Sequence, residues 1–444
     1  MPTTRIVLFL AAPLLPLAPT LADPLSAAQA QALIASTFAE LQGQARNAHL
    51  PATLPDPIEI QLASGAAGDG GKPRLNIQAR ELPIGDHSMP YAIIVRGETP
   101  PDTGRPLFIA THGGGQSAGQ PGPHSWQVNT REFQTQIQLA IGHYPADGIY
   151  FVPRMADDRL GRWWHAHNQI AFDQVIDHAI LHWGADPDRI YLIGISEGGY
   201  GTAILAPFMA DRLAAANAMA GGVGLANPPA NLRHLAFRSD VGEDDLTFDR
   251  RPMAEAFHRE LDRLRELHPD AYLNSLNVQP GRGHGIDYRP GVAWIAGHAR
   301  NPWPSTISWV NQRLDGLRRQ RFYWLSLPDA PPGDDILIEA SAHRATNTIT
   351  LQVDALSATN TDNNRTHGLD DVAASDRTPL SGLPINLLLC DALLDLDLPI
   401  TVHCNGQQLF QGTLSRTPET ITNHLALRPD PPATPTTTLR LTTP

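Results

Sequence analysis

The chain has 444 residues, of which 42% are hydrophobic and 18% charged, a balance that suits a large globular protein and argues against global disorder. Its net charge of -12 and the lack of a basic stripe argue against a nucleic-acid partner. Nearly all basic residues are arginine; Lys72 is the single lysine.

Arg5 precedes the apolar stretch "IVLFLAAPLLPLA", and small residues ending at Ala22 follow. A charged start, a short apolar run and a small-residue cleavage site predict an export signal over residues 1–22. The run is too short and too proline-broken for a good membrane span, and no later segment is long and apolar enough. The expected mature protein is therefore exported, periplasmic or secreted, with no membrane span.

Next, "PLSAAQAQALIASTFAELQGQAR" carries apolar residues at helical spacing and predicts an amphipathic helix. After a Gly- and Pro-rich stretch, "MPYAIIVRG" reads as a strand. Strands and helices then alternate: "RPLFIATHGGG", "DGIYFVPRMA", "RIYLIGIS", "AANAMAGG", "HLAFRSDVG" and "AYLNSLNVQPGRGHG" as strands, with the helices "NQIAFDQVIDHAILHWG", "GGYGTAILAPFMADRLA" and "MAEAFHRELDRLRELHP" between them. Short apolar strands alternating with helices predict an α/β domain with a mostly parallel sheet covered on both faces, spanning residues 23–300.

From residue 301 to 444 the pattern becomes short strand-like runs between turn residues, with little helical periodicity, which predicts a smaller β-rich domain. The polar stretch from Ser357 to Leu383 reads as a long loop, and "NGQQLFQG" as a hairpin turning at Asn405-Gly406. Cys390 and Cys404 both lie in this part; in an exported chain they are candidates for a disulfide, with two buried thiols as the alternative.

Chemistry concentrates at "GISEGG". Gly194 and Gly198 flank Ser196, which follows an apolar strand and precedes a helix, as a nucleophile elbow requires. The helix starting there points its N–H groups at the site and favours developing negative charge. Earlier, "THGGG" places Gly113 and Gly114 after a strand; with the N–H of Glu197 they are candidates for an oxyanion hole. His112 reads as a residue that orients this loop. A serine nucleophile needs a base and the base an acid. His284, between glycines in "GRGHGID" after the last strand, is the candidate base, and Asp245 in "GEDDLTFDR" the candidate acid. Asp244, Glu243 and Asp240 remain alternatives for the acid.

The order Ser196, Asp245, His284, preceded by the glycine loop, resembles the α/β-hydrolase superfamily over roughly residues 90–300, in particular exported bacterial hydrolases of the dienelactone-hydrolase and prolyl-oligopeptidase-like kind. The resemblance implies an α/β-hydrolase fold and a serine hydrolase acting on a carboxylic ester, with amides or peptides as the alternative substrate and small molecules or polymers as carriers of the bond. Serine stands where dienelactone hydrolases carry cysteine, and the chain has no room for the N-terminal propeller of prolyl oligopeptidases. An inactive scaffold that binds a polymer is the competing reading.

Trp163 and Trp164, with Arg154 or Arg162 nearby, sit in the loop after a strand and are candidates for substrate contact; packing of the tryptophans is the alternative. His165 and His167, or His178 and His182, have metal-like spacings but lack a completing carboxylate or cysteine, so neither a metal nor a cofactor is expected.

Overall fold

The computed structural model describes residues 24–44, 48–56, 80–329, 333, 335–364 and 369–444. Residues 1–22, on which the export-signal expectation falls, and most of the Gly- and Pro-rich stretch lie outside the described residues. The first element is the amphipathic helix α1 (Ala27–Gln42), closed at its start by a capping box in which Ser26 and Gln29 exchange hydrogen bonds.

The α/β region then runs β1 (Arg80–Ile84), β2 (His87–Arg96), β3 (Arg105–Thr111), α2 (Gln127–Gly142), β4 (Gly148–Pro153), α3 (Ala166–His182), β5 (Ala185–Ile195), α4 (Glu197–Phe208), β6 (Ala215–Met219), β7 (Ala236–Gly242), α5 (Arg250–Leu267), β8 (Asn274–Gln279) and α6 (Arg289–Ile295). Among the described residues the eight strands form one sheet in the order β1-β2-β4-β3-β5-β6-β7-β8. β1 and β2 pair antiparallel, β2 meets β4 antiparallel, and every pair from β4 to β8 is parallel. This is the mostly parallel α/β sheet, covered by helices on both faces, that the sequence predicts.

Period-two alternation in the central strands builds both layers. Leu107, Ile109, Ile149, Phe151, Ile190 and Leu192 face one core with Phe172 and Val175 of α3 and Phe257 of α5. Phe108, Ala110, Tyr150, Val152, Tyr191 and Ile193 face the other with Phe133 and Ile137 of α2 and Val292 and Ile295 of α6. Helix α2 escaped the sequence reading. Its core face interleaves Asn129 and Gln136, both buried, with the apolar positions, which blurs the helical stripe.

The remaining strands are β9 (Thr306–Asn311), β10 (Arg321–Phe322), β11 (Leu325–Ser326), β12 (Asp335–His343), β13 (Thr348–Asn364), β14 (Leu369–Pro379), β15 (Pro384–Leu389), β16 (Ile400–Cys404), β17 (Gln407–Gly412) and β18 (Thr437–Thr442), with one helix, α7 (Pro418–Leu427), before β18. They make a four-stranded sheet, β10-β11-β15-β18, and a sheet ordered β17-β16-β13-β12-β9 to which β14 pairs through β13. Much of the stretch from Ser357 to Leu383 is thus strand and not loop. Ser357 to Asn364 extend β13 and pair with β14, because backbone pairing in a long hairpin tolerates polar sequence that propensity alone assigns to coil.

The β-rich region packs on the α/β region. Trp309, Phe322, Trp324 and Leu325 belong to the same apolar cluster as α3 and α4. Ala30 and Ile34 of α1 pack with Ile421 and Leu425 of α7, and Leu25 bridges Arg416, so the start of the described chain is fastened to its last helix. The two cysteines stay apart as buried free thiols, correcting the disulfide expectation.

Candidate functional site

Ser196 sits between β5 and α4 with φ 56° and ψ -113°, a left-handed strand-to-helix turn that non-glycine residues rarely adopt. The turn is held by its own backbone: the Ser196 N–H donates to Met219 O at 2.9 Å, and Ser196 O accepts from the Tyr200 N–H at 3.0 Å. Neighbouring chain leaves no space for side chains around it. A Cβ on Gly194 would lie 2.1 Å from Gly198 O, and one on Gly198 would lie 2.3 Å from Thr111 O. The flanking glycines of the pentapeptide are therefore steric requirements of the turn.

His284 lies in the loop after β8 and Asp245 in the loop after β7, and the sheet brings both to Ser196. Nε2 of His284 is 3.0 Å from Ser196 Oγ, and its Nδ1 is 2.8 Å from Asp245 Oδ2. Asp245 is 2% exposed, and its other oxygen accepts from Arg250 Nη1 at 2.9 Å. The alternative acids have other partners. Asp240 is fully buried in a two-bond pair with Arg238 and also accepts from Asn277. The Glu243 carboxylate accepts the Gly281 N–H, and the Asp244 N–H donates to Arg282 O, so both pin the histidine loop through their own loop. Gln279 closes that loop by exchanging two hydrogen bonds with Asp287.

The glycine loop lies against Ser196: a Cβ on Gly113 would stand 3.3 Å from Ser196 Cβ. His112 is buried and orients the loop, as its place in the sequence suggested. Its Nε2 accepts the Met155 N–H at 3.0 Å and its Nδ1 meets Gly113 O. Burial pushes its pKa down to about 3, so the ring is neutral, with the Nδ1 proton on the Gly113 side.

A second buried polar chain braces the same loop, and the sequence reading missed it. Asn129 of α2 accepts from the Gly115 N–H and donates to Gly115 O, both at 3.0 Å, and donates to Asp158 Oδ1 at 2.7 Å. Gly114 has φ +100°, and a Cβ there would be 2.1 Å from Asn129 Oδ1, so the loop and the amide side chain share one close contact. Asp158 in turn receives two bonds from Arg154. The sequence signal was faint: an Asn inside a helix and a second Asp after "RMA".

Two of the substrate-contact candidates have buried partners of their own. Arg154 is 4% exposed and committed to Asp158, and Trp163 is fully buried with its indole N–H donated to His112 O at 3.0 Å. Both serve the glycine loop from below. Trp164 is half-buried, with the Arg162 guanidinium 5.5 Å over its ring. Arg162 also pairs at 2.7 Å with Glu197, whose carboxyl is raised to about 7 by burial. His165 pairs with Asp315 at 3.1 Å, and His178 Nε2 meets Pro51 O at 2.9 Å.

Among the described residues, no helix is long and apolar enough to cross a membrane. No protein-family model and no curated protein matches the chain. Among solved structures it is similar to a thermostable esterase, at 19% identity and a TM-score of 0.38, over 50% of this chain and 63% of that one. It is also similar to a feruloyl esterase module from Clostridium thermocellum complexed with sinapinate, at 12% identity and a TM-score of 0.33, over 50% of this chain and 83% of that one. A third likeness is to a poly(3-hydroxybutyrate) depolymerase from Bordetella parapertussis, at 17% identity and a TM-score of 0.32, over 47% of this chain and 80% of that one.

Proposed function

We propose that the chain is an exported serine hydrolase that cleaves a carboxylic ester through an acyl-enzyme formed on Ser196. The observation that carries this reading is the continuous relay from Ser196 Oγ through His284 to a buried Asp245, at 3.0 and 2.8 Å, on a strained elbow. With Nδ1–H donated to Asp245, the His284 ring keeps the Nε2 lone pair free for the Ser196 hydroxyl proton.

In this reading Oγ attacks the carbonyl carbon as its proton passes to Nε2. Asp245 stabilises the imidazolium and remains ionised, supported by Arg250 from behind. The N–H groups of Glu197 and of Gly113 or Gly114 take the oxyanion. The Nε2 proton then goes to the leaving alcohol, and a water activated by the same nitrogen releases the acid. The export expectation rests on residues 1–22 alone.

Labelling with a fluorophosphonate probe tests the proposal. Wild type should be labelled and should hydrolyse a short-chain aryl ester, and Ser196→Ala should do neither. Equal labelling of both proteins sinks the mechanism. Lack of ester turnover by a labelled wild type would redirect the reading to amides or peptides.

A further inference from the structure

A cavity of about 330 Å³ opens where the α/β region meets the β-rich region, lined in part by Asp211 and Arg212 just beyond the end of α4 opposite Ser196. Its wall carries three carboxylates, Asp173, Asp177 and Asp211, and four guanidinium groups. Three of the arginines are matched: Arg319 pairs with Asp173, Arg212 with Asp177, and Arg428 with Asp211. Behind the wall, Asp430 is held by Arg300 and Arg428.

Arg321 is the exception. Its Nε donates to Tyr323 O at 3.1 Å and its Nη2 to Ala433 O, and no carboxylate pairs with it among the described residues. Burial and the like charge of Arg428 push its pKa down to about 9, against the arginine norm. Asp211 and Asp430 offset this only in part from a distance; a shielded guanidinium without a direct carboxylate partner is costly, and its planar fork is shaped for a carboxylate or phosphate. Leu388 and the solvent-exposed Leu427 add apolar lining.

We propose that this cavity binds a small organic monocarboxylate, with the carboxylate on Arg321 and the apolar body against Leu388 and Leu427. With the three wall carboxylates each matched by an arginine, Arg321 leaves one positive charge in excess, which a single negative charge balances and a phosphate dianion overshoots in a partly desolvated site. The volume suits a molecule of about the size of an aromatic acid. The site lies on strands and helices of both regions, so occupancy would tie them together and raise the stability of the whole chain.

The test uses the full chain in a chloride buffer, with benzoate and inorganic phosphate as separate probes in calorimetry and thermal unfolding. Benzoate should bind saturably at one per chain, raise the Tm, and do so equally in Ser196→Ala. Arg321→Gln should weaken it by about tenfold or more. Ser326 lines the cavity directly across the strand pair from Arg321, so Ser326→Asp supplies the counter-charge internally. That variant should melt higher without ligand and lose the benzoate response, which keeps the test decisive if Arg321→Gln fails to fold. The proposal is overturned by no saturable benzoate binding, by unchanged binding in Arg321→Gln or Ser326→Asp, or by phosphate binding more tightly than benzoate.

Discussion

Arg250 stands behind Asp245: its Nη1 donates to Oδ1 at 2.9 Å, and the other oxygen of that carboxylate faces His284. Both residues are buried, so the charge of the acid is matched by a partner that does not compete for the histidine.

From this arrangement Asp245→Asn should lower kcat by about 10⁴, because the amide no longer selects the histidine tautomer that accepts the serine proton. Asp244→Asn and Glu243→Gln should keep activity within about tenfold, since their parts are in loop anchoring. Steady-state kinetics on one aryl ester decide it; equal losses across the three variants would refute the assignment of the acid.

Asn129 offers a test away from the reacting atoms. Its side chain spans the Gly115 N–H and C=O, so Asn129→Ala frees the glycine loop. The expected result is a fall in kcat of about a hundredfold with KM little changed, because the loop is proposed to act on the transition state. A loss confined to thermal stability would assign Asn129 to packing alone.

The neutral, buried His112 sets a pH dependence of stability. Its folded pKa is depressed to about 3 from an ordinary 6.5, so below pH 6.5 the unfolded chain binds a proton that the folded chain resists. Its contribution is present above 6.5 and is lost progressively as pH falls toward 3. Denaturant titrations at pH 7 and pH 4.5 should show a drop in wild type that is smaller in His112→Gln. An identical drop in both would mean that His112 is not responsible.

Arg300 joins the two regions, pairing at 2.8 Å with Asp188 of the α/β region and with Asp430 of the β-rich region. Removing it leaves Asp430, 1% exposed, with one remaining arginine partner. Arg300→Ala should destabilise by about 3–5 kcal/mol in chemical denaturation. A change under about 1 kcal/mol would place the pair in the class of weak surface bridges.

Cys390 and Cys404 are buried free thiols, their pKa values pushed by burial up to about 12 and about 11. A reducing agent should leave the Tm unchanged, and a thiol reagent should label both cysteines only after unfolding. A reductant-sensitive Tm would restore the disulfide.

The chain by itself determined the local chemistry of the elbow and the alternation that builds a parallel sheet. Both are written in short stretches: period-two apolar strands, and glycines where the turn at Ser196 admits no side chain. It also carried the order of Ser196, Asp245 and His284, since each follows a recognisable strand, β5, β7 and β8 in turn. Which acid faces His284 was decided only in three dimensions, because Glu243, Asp244 and Asp245 are adjacent in the chain and differ in the direction their loop turns them. The same holds for Arg154 and Trp163, whose residue types suit a ligand but whose burial binds them to Asp158 and His112. The extended β13–β14 hairpin was hidden for a related reason: its partner lies across a pairing register, and no local pattern in a polar stretch announces it. Local sequence encodes strain and periodicity; the partner of a buried polar group is chosen by the fold.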